Sequence, residues 1–562
     1  MEDIFDFPFS GNERIITQQL FYSIKNTFTY ELWVKPEEVH KIDNESQNGI
    51  SGIREQRYII GPGHGGEQNQ AGTGISIGEN GVSVYEHTVN HLPATLVYPS
   101  PISDWIHVAV VYQDKTPYLF INGTFAKKGL RSMKENIYAS GIFGGLDPYG
   151  SFIGNLKYIR IWDHARTEDE INENMYKELT GNEHGLFGIW DFQRYQESRS
   201  DGILFISHTM GGGTEHYLNN LIEKTKDRSR LFKFRHINDS FYIENLNAES
   251  PLSYNISFKS CDPQFLRYYS QLLGIKLIYI NHLITLPIFN IMNMVQYSGI
   301  DYIYFIHDYH CACPRINLLN IYGVYCNNET NIEICQNCVN KSDLLAWRER
   351  FYSFLLGAKS ILAPSKSAKD IIKKYYPNIT IDIQEHSLPD TIHYTFDPVF
   401  TEEKILNIAF IGRFQYHKGL NILFEVQNAI QSENLPIHIK VFGTTIKHPR
   451  YFASEDGKYL VTGVFKNSEI SNMLAANKIS IVVVPSICPE TFSYVTGEAM
   501  LSGYPVITFN IGAPADRVRK YDGGWVADFT NSSSILEILK RVLDNRHEIL
   551  EKANNLRTLF YH

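Results

Sequence analysis

The sequence of 562 residues predicts a multidomain chain in which an all-β jelly-roll sandwich precedes two doubly wound α/β domains. Three observations predict it. The length exceeds one ordinary domain of about 100–200 residues. The first third is a series of short aromatic and β-branched runs set off by turn residues, the pattern of a sandwich. Beyond about residue 201, strand-like and helix-like segments alternate, which implies parallel sheets with helices packed on them.

Taken in order, the β signals are FTYELWVK at 28–35, WIHVAVVY at 105–112, YLFING at 118–123 and LKYIRIW at 156–162, separated by Gly, Asn, Asp and Pro. The tract from Gly49 to Gly81 is rich in Gly, Gln and Asn and is expected to be a loop, either a binding loop or a mobile one. The polar segment QRYQESRSDG at 193–202 marks a boundary. GILFISH at 202–208 then opens the α/β series, followed by a glycine turn and the helical EHYLNNLIEKTKD. A second boundary fits SLPDTIHYTFDPVFTEEK, so the expected domains are 1–195, 201–390 and 404–562. No repeat and no low-complexity tract is visible.

Hydrophobic residues at 43% and charged residues at 20% describe a chain that builds packed cores rather than a disordered one. The net charge of −9 is unevenly placed: residues 1–200 hold 26 acids and 17 bases, and the remainder holds 35 of each. A phosphate backbone needs a basic face, so nucleic acid is not an expected partner. MEDIFDFPFS has neither the basic nor the apolar region of a secretory signal, which points to the cytoplasm. The most apolar stretch, Leu272 to Val295, is broken by Lys276, Asn281, His282 and Pro287, too often for a transmembrane segment.

The strongest chemical cluster lies in the last third. LNIAFIGRFQYHKGL at 406–420 reads as a buried strand that delivers Arg413 and then Lys418 to the start of a helix, where two cations can neutralise a diphosphate. An isolated Arg and Lys in a loop would read as solvated bases. Further on, ISIVVVPS leads into ICPETFSYVTGEAMLSGYPVITF, with Glu490 and Glu498 eight residues apart. On a helix that spacing is two turns plus about 80°, so both carboxylates can line one pocket at different depths.

In family order, these residues resemble glycosyltransferase family 4, whose second domain carries a Gly-Arg-x4-Lys-Gly turn, then Glu-x7-Glu, then a stretch like EAMxxGxPVI. Here Gly412-Arg413, Lys418-Gly419, Glu490, Glu498 and AMLSGYPVIT stand in that order. HTMGGGTEHYLNNLI at 208–222 resembles the family's opening turn, and DYIYFIHDYH the strand that brings a histidine to the site, with His307 the first choice and His310 the second. The resemblance covers about residues 201–550 and implies the GT-B fold, two Rossmann-like domains facing a cleft, and retaining transfer of a hexosyl or deoxyhexosyl group from a nucleotide-sugar donor to a glycan or glycoconjugate acceptor.

By the same resemblance Glu490, His307, Arg413 and Lys418 form the catalytic set. Gly212, Gly213, Arg413, Lys418, Glu490, Thr491, Phe492, Ser493 and Glu498 bind the nucleotide sugar, with Glu490 on the sugar hydroxyls, Glu498 on the ribose and the amides of Thr491 to Ser493 on phosphate. Fixed cations at the leaving diphosphate lower the barrier, so no cofactor is expected for catalysis. The sequence departs from the family at SYVTG, where a Gly-Leu pair is usual. The family's segment crossing back to the first domain does not follow the helix expected at 533–546, which leaves a truncated or atypical end open.

Five of the seven cysteines fall between Cys311 and Cys338. Clustered thiols in a reducing compartment favour zinc, and Cys335-x2-Cys338 has a common ligand spacing. Cys313, Cys326, Cys335 and Cys338 are the expected structural zinc set within an insertion at 310–340, with Cys311 or His310 as substitutes; unligated thiols and a disulfide or redox pair are the alternatives. The insertion also resembles one carried by a subset of these transferases.

DWIHVAVVY with LFINGTFA, GNLKYIRIWDHARTEDEI and GLFGIWDF resemble the laminin-G-like, concanavalin-type lectin sandwich. Trp33, Trp105, Trp162 and Trp190 lie in strand patterns, as core residues do. Glycan binding, protein contact and structural support all stay open for this region, and no Asp-rich loop marks a calcium site. The function implied is a cytoplasmic retaining glycosyltransferase of surface polysaccharide biosynthesis. The alternatives are a glycan-binding or scaffolding protein with a degenerate transferase part, and a glycan phosphorylase, which would need a pyridoxal cofactor on a lysine.

Overall fold

A computed structural model describes residues 7–561 apart from 12–13, 147, 178, 180–182, 192–200, 209–210, 238–239, 247–254, 259–265, 268–269, 271–272 and 529. Most of the boundary expected at 193–202 lies outside the described residues. The chain divides into two compact units. One comprises Met1–His208, Leu221–Tyr279 and Thr285–Asp301; the other comprises Thr209–Asn220, Ile280–Ile284 and Tyr302–His562.

The first unit contains the expected β-sandwich. One sheet runs in the order Phe7–Ser10, Ile153–Trp162, Phe28–Pro36, Ile106–Gln113, Thr116–Ile121 and Thr124–Lys128. Its alternating aromatic and β-branched residues set the register, with Tyr30 opposite Val110 and Leu32 opposite Val108. The second sheet includes Arg14–Lys25, Asn136–Phe143, Tyr58–Ile60, Gln70–Gly78, Gly81–His87 and Ala94–Pro99. In the same unit the pairing continues from Arg14–Lys25 through Asn255–Phe258, Ser240–Asn245 and Arg230–Ile237 to Gly202–Ile206.

The expected loop from Gly49 to Gly81 is corrected by this sheet, because it contains the strands Tyr58–Ile60 and Gln70–Gly78. Most of its glycines, Gly52, Gly61, Gly63, Gly65, Gly72 and Gly74 among them, serve close packing. A Cβ on Gly72 would lie 2.1 Å from the Gly63 carbonyl oxygen, so the strand reads as a turn-rich tract although nearly all of it is buried.

The sandwich also buries charge. Glu31 accepts from Arg166 Nη1 at 2.6 Å and lies 3.9 Å from Arg160, and all three side chains are almost completely enclosed. Arg160 donates onward to the carbonyls of Asn174 and Lys177, while Trp33 and Tyr158 both donate to that of Met175. These bonds hold the segment around the helix Glu168–Asn174, which begins with a capping box between Thr167 and Glu170.

In the second unit the strands Ser360–Ala363 and Asp382–Ile383 are parallel. A seven-stranded sheet follows in the order Phe452–Ala453, Tyr459–Val461, Ile437–Thr444, Leu406–Arg413, Ile481–Val484, Val506–Phe509 and Gly524–Ala527. All of its pairs are parallel except that of the edge strand Phe452–Ala453. Helices such as Leu420–Ser432, Tyr494–Leu501, Gly512–Tyr521 and Ser532–Asp544 pack against it around one core in which Ile408, Phe410, Val482 and Val506 are fully buried. No described helix is long and apolar enough to cross a membrane.

Candidate active site

The strand Leu406–Arg413 is buried except near its end, where Arg413 emerges. A short 3-10 turn, Tyr416–Lys418, leads to Gly419 and the helix Leu420–Ser432. Gly419 has φ 81°, and a Cβ there would lie 2.0 Å from the Pro485 carbonyl oxygen. Only glycine permits so close an approach in that conformation, and the approach brings Lys418 to the neighbouring strand end.

There Lys418 Nζ lies 2.9 Å from Glu490 Oε1, which also accepts the Ser486 hydroxyl. Burial opposes both charges, yet their contact keeps the Glu490 carboxyl below its ordinary range and the Lys418 ammonium above its own. Arg413 is exposed and has no carboxylate partner among the described residues.

The backbone N–H groups of Thr491, Phe492 and Ser493 have no acceptor among the described residues, and they precede the N-terminus of the helix Tyr494–Leu501. One helical turn in, Glu498 is 4% exposed and its Oε1 has no hydrogen-bond partner among the described residues. Burial alone pushes its carboxyl up to about 7. Buried polar atoms are ordinarily paired, and orphans that face a cavity can take their partner from a ligand.

His307 Nε2 donates to Asn281 Oδ1 at 2.7 Å, and the Asn281 amide donates to the Thr214 carbonyl. Beside it His282 accepts the Ile284 N–H at Nδ1, so its Nε2 carries the proton and donates to Asp308 at 2.7 Å. Two strand ends thus pair residue by residue, Asn281 with His307 and His282 with Asp308.

These groups surround one cavity of about 680 Å³ within the second unit. Gly212, Gly213 and His307 lie on its wall with Arg413 and Lys418. Glu490, Thr491, Phe492, Ser493 and Glu498 complete the expected set, so every residue expected to touch the donor is brought together. His310 does not line the cavity; its ring packs against Trp347 at 5.0 Å. Sequence reasoning missed Asn281, whose signal was INH following an apolar strand. It also missed His386, buried among the rings of Tyr217, Phe305 and Phe492, with neither ring nitrogen paired among the described residues. No local pattern announces His386.

The expected zinc set does not close into a metal site. Among the described residues no group of three or more His, Cys, Asp or Glu side chains is placed to hold a metal ion. Cys335 Sγ instead sits 3.5 Å from the Glu329 carbonyl oxygen and 3.7 Å from the Arg348 guanidinium. Burial raises the Cys313 and Cys335 thiols. The six described cysteines form no disulfide.

Residues 396–558 match the family of glycosyl transferases group 1. That match takes in the cavity residues from Arg413 to Glu498. Residues 10–172 match the concanavalin A-like lectin/glucanases superfamily, the sandwich that precedes it. A curated relative, an uncharacterized 41.2 kDa protein in the cps region of Klebsiella pneumoniae, is 27% identical over 172 residues. That match takes in 31% of this chain and 46% of the relative, so the chain spans about half the relative's length. Similar solved structures include Anabaena HepE in complex with UDP and glucose, at 15% identity and a TM-score of 0.41 over 64% of this chain and 94% of that one. Another is WaaG, a glycosyltransferase involved in lipopolysaccharide biosynthesis, at 13% identity and a TM-score of 0.43 over 64% and 95%.

Proposed function

We propose that this protein is a retaining glycosyltransferase of the family 4 type, moving a hexosyl or deoxyhexosyl group from a nucleotide sugar to a glycan or glycoconjugate. The reading places it in the cytoplasm, in surface polysaccharide biosynthesis, with domains at 1–195, 201–390 and 404–562 and the sandwich assisting acceptor or partner binding. One observation carries it: the Lys418–Glu490 pair, the unpartnered Arg413, three orphan N–H groups and the orphan Glu498 oxygen share one cavity.

In this reading the bond between the anomeric carbon and the diphosphate oxygen breaks, and its electron pair stays with the departing nucleoside diphosphate. Arg413, Lys418 and the amides of Thr491 to Ser493 meet the charge that develops there. The acceptor hydroxyl forms the new bond from the same face, and its proton passes to the departing phosphate. Glu490 holds sugar hydroxyls, His307 the sugar near the reacting carbon, and Glu498 the ribose.

A thermal-shift screen of UDP, GDP, ADP and dTDP with their sugars tests the donor. Ligand at about 100 times its Kd should stabilise the chain by ~2.7 kcal/mol. Glu490→Ala should abolish sugar transfer and donor hydrolysis. Wild-type protein that neither binds nor turns over a nucleotide sugar would mean a binding module instead.

A further inference from the structure

Ser493 stands where the sequence departs from its family pattern, and its backbone is in a conformation that favours glycine, φ 63° and ψ 92°. It is also 8% exposed and lines the cavity with one of the orphan N–H groups. Something must hold a serine there.

The loop is tied down by its carbonyls. Glu490 O accepts the Ala513 N–H at 2.9 Å, Thr491 O accepts the Ser365 hydroxyl at 2.7 Å, and Ser493 O accepts Arg517 Nη1 at 2.9 Å. The first and third ties come from one helix, Gly512–Tyr521. At its start a Cβ on Gly512 would lie 2.7 Å from Glu490 N, so the helix sits directly against the loop. The guanidinium of Arg517 also lies 4.3 Å over the Phe492 ring, fixing it between the loop's side chain and its carbonyl. In a trans peptide the N–H points away from its own C=O, so the engaged Glu490 and Thr491 oxygens turn the Thr491 and Phe492 N–H groups the other way, while the grip on the Ser493 oxygen fixes the backbone of Ser493 that follows them.

We infer that Arg517 is a positioning residue for diphosphate: by gripping the Ser493 carbonyl it holds a left-handed serine so that the amides of Thr491 to Ser493 stay open to the donor's phosphates. The inference rests on the proposed donor site and adds a residue to it. Its distinctive consequence is rescue. Glycine adopts the same backbone without strain, so a loop with glycine at 493 has less need of Arg517.

The experiment measures affinity for whichever of UDP, GDP, ADP and dTDP wild type binds most tightly, and for the matching nucleoside, in wild type, R517M, S493G and the double variant. R517M should lose about tenfold in diphosphate affinity, the factor worth ~1.4 kcal/mol, and less than about twofold for the nucleoside. Adding S493G should recover diphosphate binding to within about threefold of wild type, and should restore a cooperative fold if R517M lacks one. Diphosphate binding by R517M equal to wild type, or a loss that S493G does not recover, overturns the role of Arg517 and leaves the donor site standing. A wild type that binds none of the four diphosphates overturns both.

Discussion

Glu498 is a carboxylic acid with no partner for one oxygen and a proton affinity set by burial, and this has a consequence for stability. Its carboxyl is pushed from an ordinary 4.5 to about 7, so the folded state binds the proton more tightly than the unfolded chain. The sign follows: the stabilisation is complete below the unfolded value and is lost as pH rises through about 7. Glu498→Gln stays neutral, so its denaturation free energy relative to wild type should rise between about pH 5 and 8 and then level off, by at most ~3 kcal/mol. A difference that stays flat across that range would contradict the burial assigned to this group. Lys418 and Glu490 make a second test. Lys418→Met should cut turnover by about 10²–10³-fold by removing a cation at the departing phosphate. The double variant Lys418→Met, Glu490→Gln should regain stability, since no carboxylate is left unpaired, but no activity. Recovery of turnover in the double variant would show that Lys418 serves only the fold. Residues of this kind were legible in the sequence through the order of family motifs they resemble, since spacing alone would leave them as solvated charges. Arg517 and Asn281 were not, since each acts through a carbonyl or ring brought close only by tertiary packing.

At the scale of elements, apolar runs translated directly into strands where side chains fill the space. FTYELWVK became Phe28–Pro36 and LNIAFIGR became Leu406–Arg413. Where backbones fill it the translation failed, as in the glycine-bearing strand Gln70–Gly78, because a glycine that permits contact has the same letter as one that permits a turn. Charge inside the sandwich was likewise invisible, because Glu31, Arg160 and Arg166 come together only when strands and the segment beside the helix Glu168–Asn174 are in place. That cluster and the capping box hold the same segment with different strength. Glu31→Gln leaves two enclosed guanidiniums without a counter-charge and should cost about 3–5 kcal/mol. Thr167→Ala removes only the cap and should cost ~1 kcal/mol. Urea denaturation would check the order, and a Thr167→Ala loss equal to that of Glu31→Gln would show that the buried charges contribute no more than a surface cap.

For the whole molecule, the question left by the sequence was whether the cysteine-bearing insertion needs a metal to hold it. Five clustered cysteines made zinc the natural expectation, because a ligand set that closes on an ion contributes its binding energy to folding. The structure supplies other ties for that region. Trp347 Nε1 donates to the His310 carbonyl, Arg348 to those of Ala312 and Thr330, and the Tyr376 hydroxyl to that of Cys311. The insertion's ends are therefore joined to the helix Lys341–Leu356 and to the residue after Lys366–Tyr375 by ordinary hydrogen bonds. Buried Cys311 is held neutral, its thiol raised beyond the usual range by burial. Two measurements on the full chain follow from this. Protein purified without added metal should hold less than about a tenth of an equivalent of zinc, and a chelator should leave its denaturation midpoint and nucleotide affinity unchanged. A stoichiometric metal, or a midpoint that falls with chelator, would mean that Cys313, Cys326, Cys335 and Cys338 close on an ion, and that the hydrogen bonds alone do not hold the insertion.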